Sequence, residues 1–344
     1  MRPIEFTAAS RLLVIAPHPD DESLACGGLI QHAVAAGAQV RVLSVTDGDN
    51  NPWPQRVLER RVRIGPEQRV SWGRRRRSEV LAATAILGLR DSDVVFAGLP
   101  DQGLTTDLLS GQSALRPILQ REIESFAPTI IVSPSLHDTH PDHSAAAVLV
   151  RLALRESATP PGLHEYLIHG RASFDGEVPW GVALSRGQVD MKRDAICCHR
   201  SQTLVSRKRF LSYATGEELF HAASAADVAH PISRVTRANG ELRIELRARR
   251  WFDRASAAQL HLLWCDGPRI VAQHRVQLAN GVRGGGVVLE MTDDSGNVLG
   301  RGKIDAAGNL LLPINVALHA TTLYLHRRGG IAFFDEAGWR EIAL

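Results

Sequence analysis

Two short motifs, HPDD at His18 to Asp21 and HPDH at His140 to His143, place imidazole and carboxylate groups three residues apart. On the first turn of a helix, that spacing puts both side chains on the same side. The proline within each motif suits the start of such a turn. Groups of this kind that converge in space can bind a divalent metal or transfer protons.

A metal site can be assembled from the two motifs together. His18 and Asp21 from the first, with His143 from the second, form a set of two histidines and one carboxylate. Such a set suits Zn²⁺ with coordination positions left for water and substrate. Asp20 and His140 are not needed as ligands, and we predict that they carry protons. A lone His-Pro-Asp is a common loop tripeptide, so the prediction depends on both motifs.

The first half of the chain alternates strand-like and helix-like segments. RLLVIA (11–16), LACGGLIQHAVAAGA (24–38) and QVRVLSVTDG (39–48) predict a βαβ unit with parallel strands. Further strand and helix patterns extend it to a Rossmann-like, mostly parallel sheet with flanking helices. Ligands bind beyond the carboxyl ends of such strands. We therefore expect the loops PHPDDE, TDGD, LPDQG and HDTHPDH to lie close together.

From about Pro231 the pattern changes to short alternating runs separated by Gly, Asp-Gly and Asn-Gly. This texture predicts a smaller antiparallel β-domain, sandwich or barrel-like. We therefore predict a division into residues 1–228 and 229–344. Trp251, Trp264, Tyr324 and Trp339 could form a carbohydrate-binding face, although packing in the β-domain core is the simpler interpretation.

The composition is that of a globular protein, with 44% hydrophobic and 22% charged residues in 344. No stretch has the roughly 18 apolar residues of a membrane span, and no secretory signal is evident, so a cytoplasmic location is expected. The net charge of +3 does not indicate a nucleic-acid partner.

The run RRRR (74–77) predicts either a solvated helix face or an anion contact. CCH (197–199) is not expected to bind metal, because the side chains of neighbouring helix residues point in different directions.

The chain resembles the PIG-L (LmbE-like) family of zinc-dependent N-acetylglucosaminyl deacetylases. The resemblance rests on six segments: APHPDDESLACGG, VTDGD, the Arg-x-x-Glu of 76–79 with the following LG, LPDQG, DTHPDH and KRDAICCHRSQ. It implies a Rossmann-like domain with Zn²⁺, or another divalent metal, at the strand ends. It also implies removal of the acetyl group from an N-acetylglucosamine-containing glycoconjugate.

The resemblance assigns roles to individual residues around the metal. His18, Asp21 and His143 match the ligands. Asp20 matches the general base, which deprotonates the water that zinc activates. Two further roles belong to residues of the second motif. His140 matches the position that polarises the oxyanion and protonates the leaving amine. Asp142 would orient a histidine.

The resemblance and the strand exits also suggest substrate contacts. Arg76 and Asp101 match positions that contact the sugar or its aglycone in relatives, although Arg76 could be a surface charge. Asp47 lies at a strand exit, where it contacts the substrate or caps a turn. His169 could line the pocket or be structural, and Glu22 is expected to support the ligands rather than bind the metal.

Other functions stay open at this stage. The same chemistry could act on a different amide or acyl substrate, because the core motifs say little about what lies beyond the acetamide. A catalytically silent carbohydrate-binding protein is a second alternative, against which the presence of both Asp20 and His140 argues. The C-terminal domain could form a homo-oligomer contact or a wall that limits substrate size.

Overall fold

The computed structural model describes residues 1–170, 177–222, 230–238, 240–246, 259–278, 288–293, 295–305, 309–313, 319–328, 334–335 and 337–344. The chain forms two compact units. The first contains Met1–Ser135 and Thr159–Ala226, and the second contains Leu136–Ala158 and Asp227–Leu344. The division predicted at residues 228 and 229 stays a prediction. No helix within the described ranges is both long and apolar enough to cross a membrane.

Helices and strands alternate through the N-terminal part of the chain, and a series of strands follows them. The helices are α1 (Asp21–Ala35), α2 (Pro52–Glu59), α3 (Pro66–Ile86), α4 (Leu104–Leu108), α5 (Leu115–Phe126), α6 (Pro141–Leu154), α7 (Arg186–Cys198) and α8 (Arg200–Leu211). The first eight strands are β1 (Arg2–Pro3), β2 (Arg11–Ala16), β3 (Gln39–Thr46), β4 (Val94–Leu99), β5 (Ile130–Pro134), β6 (Gly162–Tyr166), β7 (Trp180–Ala183) and β8 (Glu217–Ala222). The remaining strands are β9 (Ile232–Ala238), β10 (Glu241–Leu246), β11 (Gln259–Asp266), β12 (Arg269–Leu278), β13 (Val288–Thr292), β14 (Val298–Ile304), β15 (Leu310–Pro313), β16 (Thr322–Arg328) and β17 (Arg340–Ala343).

The first unit contains a mixed, mostly parallel sheet with the strand order β1-β7-β8-β6-β5-β2-β3-β4. Strands β6, β5, β2, β3 and β4 pair in parallel, whereas β8 is antiparallel to β6 and β7. Leu12 to Ala16 of β2 are completely buried, as expected for a central strand covered on both faces. The predicted α/β fold is confirmed.

Helix α1 packs closely because its sequence contains glycine at the contact. A Cβ on Gly28 would lie 2.5 Å from Cδ2 of Leu184, so a larger side chain would force the two segments apart. The carboxylate of Glu218 accepts the backbone N–H groups of Gly28 and Leu29 at 2.6 and 2.8 Å. Its charge is balanced by the buried ammonium of Lys192 at 2.6 Å. This network anchors the middle of α1 and therefore the loop from which it starts.

The second unit contains an antiparallel sheet with the order β17-β16-β11-β12-β13-β14-β15-β10-β9, which confirms the predicted β-domain. Its core includes Trp264, and Tyr324 and Trp339 are also fully buried. These three aromatic side chains pack in the interior and do not form a carbohydrate-binding face. Trp251, the fourth aromatic residue considered, lies outside the described residues. Helix α6 belongs to this unit.

His230 makes the second unit sensitive to acid. Its Nδ1 accepts the backbone N–H of Ile232 at 3.1 Å, and its Nε2 lies 3.3 Å from the carbonyl oxygen of Gly338. Burial lowers the pKa of His230 from 6.5 to about 4. The unfolded chain therefore takes up this proton at a higher pH than the folded chain. The stabilisation is complete above pH 6.5 and is lost as the pH falls through about 4.

We predict that His230→Gln reduces the loss of stability between about pH 7 and about pH 4 by up to about 3 kcal/mol. The measurement is the free energy of unfolding in urea at both pH values, compared with the wild type. His319→Gln is the control, because His319 is exposed. An unchanged pH dependence in His230→Gln would contradict the role of this histidine.

Candidate active site

The loop between β2 and α1 brings the side chains of His18 and Asp21 together, as the first motif predicts. Both residues are buried. The backbone N–H of His18 donates to Oδ2 of Asp21 at 2.8 Å, which orients the carboxylate. Nδ1 of His18 lies 3.6 Å from the same oxygen, which is too long for a hydrogen bond.

The separation of these two atoms fits a shared cation. Two ligands of a tetrahedral metal ion with bonds of about 2.0–2.2 Å lie about 3.4 Å apart. The 3.6 Å between Nδ1 of His18 and Oδ2 of Asp21 is close to that value. Imidazole and carboxylate are also the ligands that Zn²⁺ and related divalent ions accept. The buried histidine and aspartate cluster is thus consistent with a metal site.

Asp101 orients the imidazole of His18 from the other side. It follows strand β4, and its Oδ1 lies 3.2 Å from Nε2 of His18. Burial favours the protonated acid, but the hydrogen bond and positive charge of His18 outweigh it and lower the pKa of Asp101. A carboxylate bonded to one ring nitrogen leaves the other nitrogen directed at a metal. Asp101 was predicted to contact the substrate. Its observed partner is His18, and a substrate contact stays a prediction.

Asp20 has a different partner from its neighbour Asp21. Its Oδ2 accepts a hydrogen bond from Nη2 of Arg76 at 2.9 Å, and Nη1 of Arg76 donates to the carbonyl oxygen of Gly48 at 3.0 Å. Burial raises the pKa of Asp20 to about 6, although the charge of Arg76 opposes the rise. A carboxylate that titrates near neutral pH suits proton transfer. Asp20 also has a φ of 136°, which is uncommon for a residue with a side chain.

The four arginines of the run at 74–77 on α3 have different environments. Arg74 and Arg75 are exposed, in agreement with the solvated helix face, whereas Arg76 is buried against Asp20. Arg77 pairs with both oxygens of Asp47 at 2.7 and 2.8 Å. The role of Arg76 as a substrate contact stays a prediction, and its observed partner is Asp20.

Glu22 and His199 form a fully buried pair behind Asp20. Nε2 of His199 lies 2.9 Å from Oε1 of Glu22, and Oε2 of Glu22 accepts the backbone N–H of Asp20 at 3.0 Å. Burial disfavours a charged imidazole, but the carboxylate of Glu22 outweighs it and raises the pKa of His199. The pair fixes the backbone at Asp20. Glu22 was expected in a supporting role, whereas His199 was not predicted, although it lies within the segment KRDAICCHRSQ.

Two further residues predicted to contact the substrate also have partners within the first unit. Asp47 follows β3 and forms an ion pair with Arg77. Neither of its predicted roles, substrate contact or turn cap, included this ion pair. Nδ1 of His169 lies 3.3 Å from Nη2 of Arg209. Contacts of Asp47 and His169 with a substrate stay predictions.

The second motif, which lies in the second unit, repeats the arrangement of a histidine beside a carboxylate. Nδ1 of His143 lies 3.1 Å from Oδ2 of Asp138, and both side chains are fully buried. Oδ1 of Asp138 accepts the backbone N–H of His140 at 2.8 Å. Asp138 therefore directs Nε2 of His143 away from itself, as a metal ligand requires. The sequence analysis missed Asp138, although it lies in the polar loop HDTHPDH.

His140 is the residue before helix α6, and its ring has a defined orientation. Its Nδ1 accepts the backbone N–H of Asp142 at 3.2 Å. Because a backbone N–H can only donate, the neutral ring carries its proton on Nε2. The rings of His140 and His143 lie 5.1 Å apart between centroids. Nε2 of the neutral His140 ring is thus a hydrogen-bond donor near the second histidine.

We predict that Asp101→Asn lowers the affinity of the protein for a divalent metal by about 10-fold to 100-fold, because the carboxylate no longer orients His18. Titration against a chromophoric chelator measures this affinity directly. Asp91→Asn removes an exposed carboxylate in the same unit and should leave the affinity unchanged. Equal affinities for Asp101→Asn and the wild type would contradict the orienting role.

We also predict that Arg76→Met raises the pKa of Asp20 above about 6, because it removes the positive charge that opposes the rise. Carbon-13 NMR titration of the aspartate carboxyl groups in metal-free protein measures the change. Arg77→Met, which releases Asp47 instead, should leave the pKa of Asp20 where it is. An Asp20 pKa that does not move in Arg76→Met would show that the two groups are not electrostatically coupled.

Comparison with protein families matches residues 13–154 to PIG-L, described as GlcNAc-PI de-N-acetylase. This range contains both His-Pro-Asp motifs and runs from within β2 to the end of α6. All of the described strands of the antiparallel sheet, β9 to β17, lie after this range.

Curated relatives agree with this match. The 1D-myo-inositol 2-acetamido-2-deoxy-alpha-D-glucopyranoside deacetylase of Mycolicibacterium smegmatis is 31% identical over a 160-residue alignment, and the match covers 42% of this chain and 53% of that protein. The protein of the same name from Thermobispora bispora is 27% identical over a 191-residue alignment, and the match covers 51% of this chain and 58% of that protein. The chain thus spans about half the length of the curated relatives that it matches.

A solved structure with a similar fold is that of Dbv21, the A40926 pseudoaglycone deacetylase. It has a TM-score of 0.50 and 22% identity, and the alignment covers 63% of this chain and 99% of that chain. This likeness concerns the fold alone. The family match and the curated relatives show that residues 13–154 are similar to the PIG-L family.

Proposed function

We propose that this protein is a metal-dependent hydrolase that removes the acetyl group from an N-acetylglucosamine unit of a glycoconjugate. The observation that carries the proposal is the different environment of two adjacent aspartates. Asp21 faces His18 at a distance suited to a shared cation, whereas Asp20 faces Arg76 and has a pKa raised to about 6. A ligand and a base next to each other are what hydrolysis of an amide requires.

The metal would be held by His18, Asp21 and His143. The family match spans both motifs, and each of the two histidines has a carboxylate on one ring nitrogen, Asp101 or Asp138. Two imidazoles and one carboxylate favour Zn²⁺, although other divalent ions accept the same ligands. When bound, such a cation supplies Lewis acidity and makes water a stronger nucleophile near neutral pH.

Asp20 is the general base in this proposal. Its ionised carboxylate takes a proton from the water that attacks the acetamide carbonyl carbon. With a pKa of about 6, Asp20 is largely ionised at neutral pH yet basic enough to accept that proton. Arg76 stabilises the ionised form, and the hydrogen bond from the backbone of Asp20 to Glu22 maintains the position of the carboxylate.

His140 stabilises the negative charge that develops on the carbonyl oxygen. The hydrogen bond from Asp142 to Nδ1 of His140 leaves the neutral ring with a donor at Nε2, which suits donation to an oxyanion. The resemblance also assigns protonation of the leaving amine to His140. Because Nδ1 of His140 accepts a hydrogen bond and a neutral imidazole is a poor acid, we propose instead that the amine nitrogen receives its proton from Asp20, which took it from water. The C–N bond breaks, acetate leaves, and Asp20 is ionised again. For the carboxyl group of Asp142, we retain the proposed role of orienting a histidine.

The names of the relatives, which specify a 2-acetamido-2-deoxy-glucopyranoside, support the proposed substrate class. Asp47 and His169 are proposed to contact the sugar or its aglycone. Arg76 and Asp101 would affect the substrate mainly through Asp20 and His18, which they contact. Because the chain matches only half of each relative, the aglycone can differ from inositol, and another amide substrate is the main alternative.

We predict that the protein releases acetate from N-acetylglucosaminides and that Asp20→Asn reduces the rate by about 10²-fold to 10⁴-fold, as expected for loss of a general base. Acetate is measured across a panel of N-acetylglucosaminides, with metal content determined on the same samples. Asp91→Asn is the matched control, because it removes the same group from an exposed position.

Two results would contradict the proposal. Equal acetate release by Asp20→Asn and the wild type would exclude the assigned base. Undiminished activity after chelation, with no metal in the sample, would exclude the metal-dependent mechanism. Activity on other amides but not on N-acetylglucosaminides would retain the mechanism and change the substrate class.

A further inference from the structure

A segment near the end of the chain lies along the loop and helix that carry the second motif. We call this segment the C-terminal brace and define it by Phe334, Asp335, Gly338 and Glu341. The brace, the loop from Leu136 to His140 and helix α6 all belong to the second compact unit. The family match ends at residue 154, so the brace lies outside the part of the chain that the family model describes.

The brace contacts the backbone of the loop at two points. The backbone N–H of Asp335 donates to the carbonyl oxygen of Thr139 at 2.8 Å. At Gly338 the two segments approach so closely that a Cβ would overlap the carbonyl oxygen of Leu136. The loop backbone on the N-terminal side of His140 is therefore held in place by residues about 200 positions later in the chain.

A third contact reaches the side chain of His140 itself. The ring centroid of Phe334 lies 5.7 Å from that of His140, and the two planes are inclined at 80°. Such a perpendicular arrangement is one of the favoured geometries for two aromatic rings. Because Nδ1 of His140 also accepts the N–H of Asp142, the imidazole is fixed both by a hydrogen bond and by a ring contact.

The brace also holds the helix behind the motif. The carboxylate of Glu341 pairs with Nε of Arg151 at 3.0 Å and with Nη2 of Arg155 at 2.5 Å. The hydroxyl of Tyr324 donates to the same carboxylate at 3.1 Å. Helix α6, which begins with the second motif, is therefore attached to strands β16 and β17 of the antiparallel sheet.

The brace has its own rigid support in the sheet. Oδ2 of Asp335 lies 2.9 Å from Nε2 of His326, a fully buried residue of β16. The ring of His326 is stacked on that of Trp339 at 4.8 Å between centroids. Since Asp335 and Phe334 are adjacent, anchoring Asp335 also restricts where the ring of Phe334 can lie.

We propose that Phe334 is a positioning residue for His140, and that the C-terminal sheet thereby contributes to catalysis rather than serving only as an appended binding module. The proposal rests on the proposed function of His140 as the donor to the oxyanion. Rotation of an unsupported imidazole would move Nε2 away from the oxygen that it stabilises. Loss of the ring contact therefore lowers the turnover rate and leaves substrate binding nearly unchanged.

Kinetic constants of Phe334 variants test this proposal. In Phe334→Ala, kcat falls by between about 2-fold and 10-fold, the rate equivalent of one aromatic pair, while KM changes little. Phe334→Tyr restores kcat because it retains the ring, whereas Phe334→Leu, which fills similar space without a ring, does not. In a His140→Ala background, Phe334→Ala causes no further loss, because the residue it positions is absent.

Three kinetic results would overturn the proposal. These are a rise in KM with unchanged kcat, equal rates for Phe334→Leu and the wild type, and the same loss from Phe334→Ala in the His140→Ala background as in the wild type. The first would make Phe334 a substrate contact, and the third would indicate general damage to the fold. Absence of acetate release by the wild type would instead contradict the proposed function.

A second measurement needs no substrate. It distinguishes failure of the proposed contact between Phe334 and His140 from failure of the proposed function. In protein labelled at histidine, the Cε1–H resonance of His140 is identified by its disappearance in His140→Gln. Phe334→Leu removes a ring current and shifts this resonance, while Phe334→Tyr leaves it near the wild-type position. A resonance that is identical in Phe334→Leu and the wild type would overturn the ring contact, whatever the activity of the protein.

Discussion

A carboxylate removed from water needs a positive charge or hydrogen-bond donors beside it, and the burial of Asp20 depends on this requirement. Arg76 satisfies it from the middle of helix α3, and its guanidinium also donates to carbonyl oxygens of Pro19 and Gly48. One side chain therefore joins the loops after β2 and β3. The same contact links α3 to both loops and opposes the rise in the pKa of Asp20 that burial causes.

The two histidines proposed as ligands have the same local design although they lie in different parts of the chain. Asp101 contacts Nε2 of His18, and Asp138 contacts Nδ1 of His143. In each case a carboxylate determines which ring nitrogen remains directed at a metal, and so it selects the tautomer as well as the orientation. Neither carboxylate belongs to a His-Pro-Asp pair, which is why motif spacing alone did not identify their roles.

Much of the fold was predictable because the segments from β2 to α6 have clear periodicity and end in polar loops. The apolar run at 11–16 and two of the alternating runs in the C-terminal part of the sequence form strands β2, β11 and β16. Contacts between distant residues were not predictable from local patterns. The Arg-x-x-Glu of 76–79 marks Arg76 through the family resemblance, but helical periodicity does not distinguish it from its exposed neighbours Arg74 and Arg75. Only the three-dimensional position of α3 buries Arg76 and exposes the other two.

The same limit applies to His199 and Phe334. His199 belongs to CCH, which was not expected to bind metal, and nothing near it in the sequence indicates its partner Glu22, which lies 177 positions away. Phe334 follows a region of alternating residues with no catalytic spacing, and its meaning depends on the ring of His140. Sequence patterns identify residues that act together with near neighbours in the chain. A pair of residues brought together by tertiary packing can be identified only from the three-dimensional structure.

The backbone of Asp20 has one more consequence. A φ of 136° is comfortable for glycine, and an aspartate in such a conformation is less stable by roughly 1–3 kcal/mol. The chain tolerates an acidic residue here because Glu22, Arg76 and the anchored helix α1 hold the loop. In the proposed mechanism, this loop gives up some thermal stability in order to place the base Asp20. Efforts to make the protein more heat-resistant should improve its surroundings and leave this backbone unchanged.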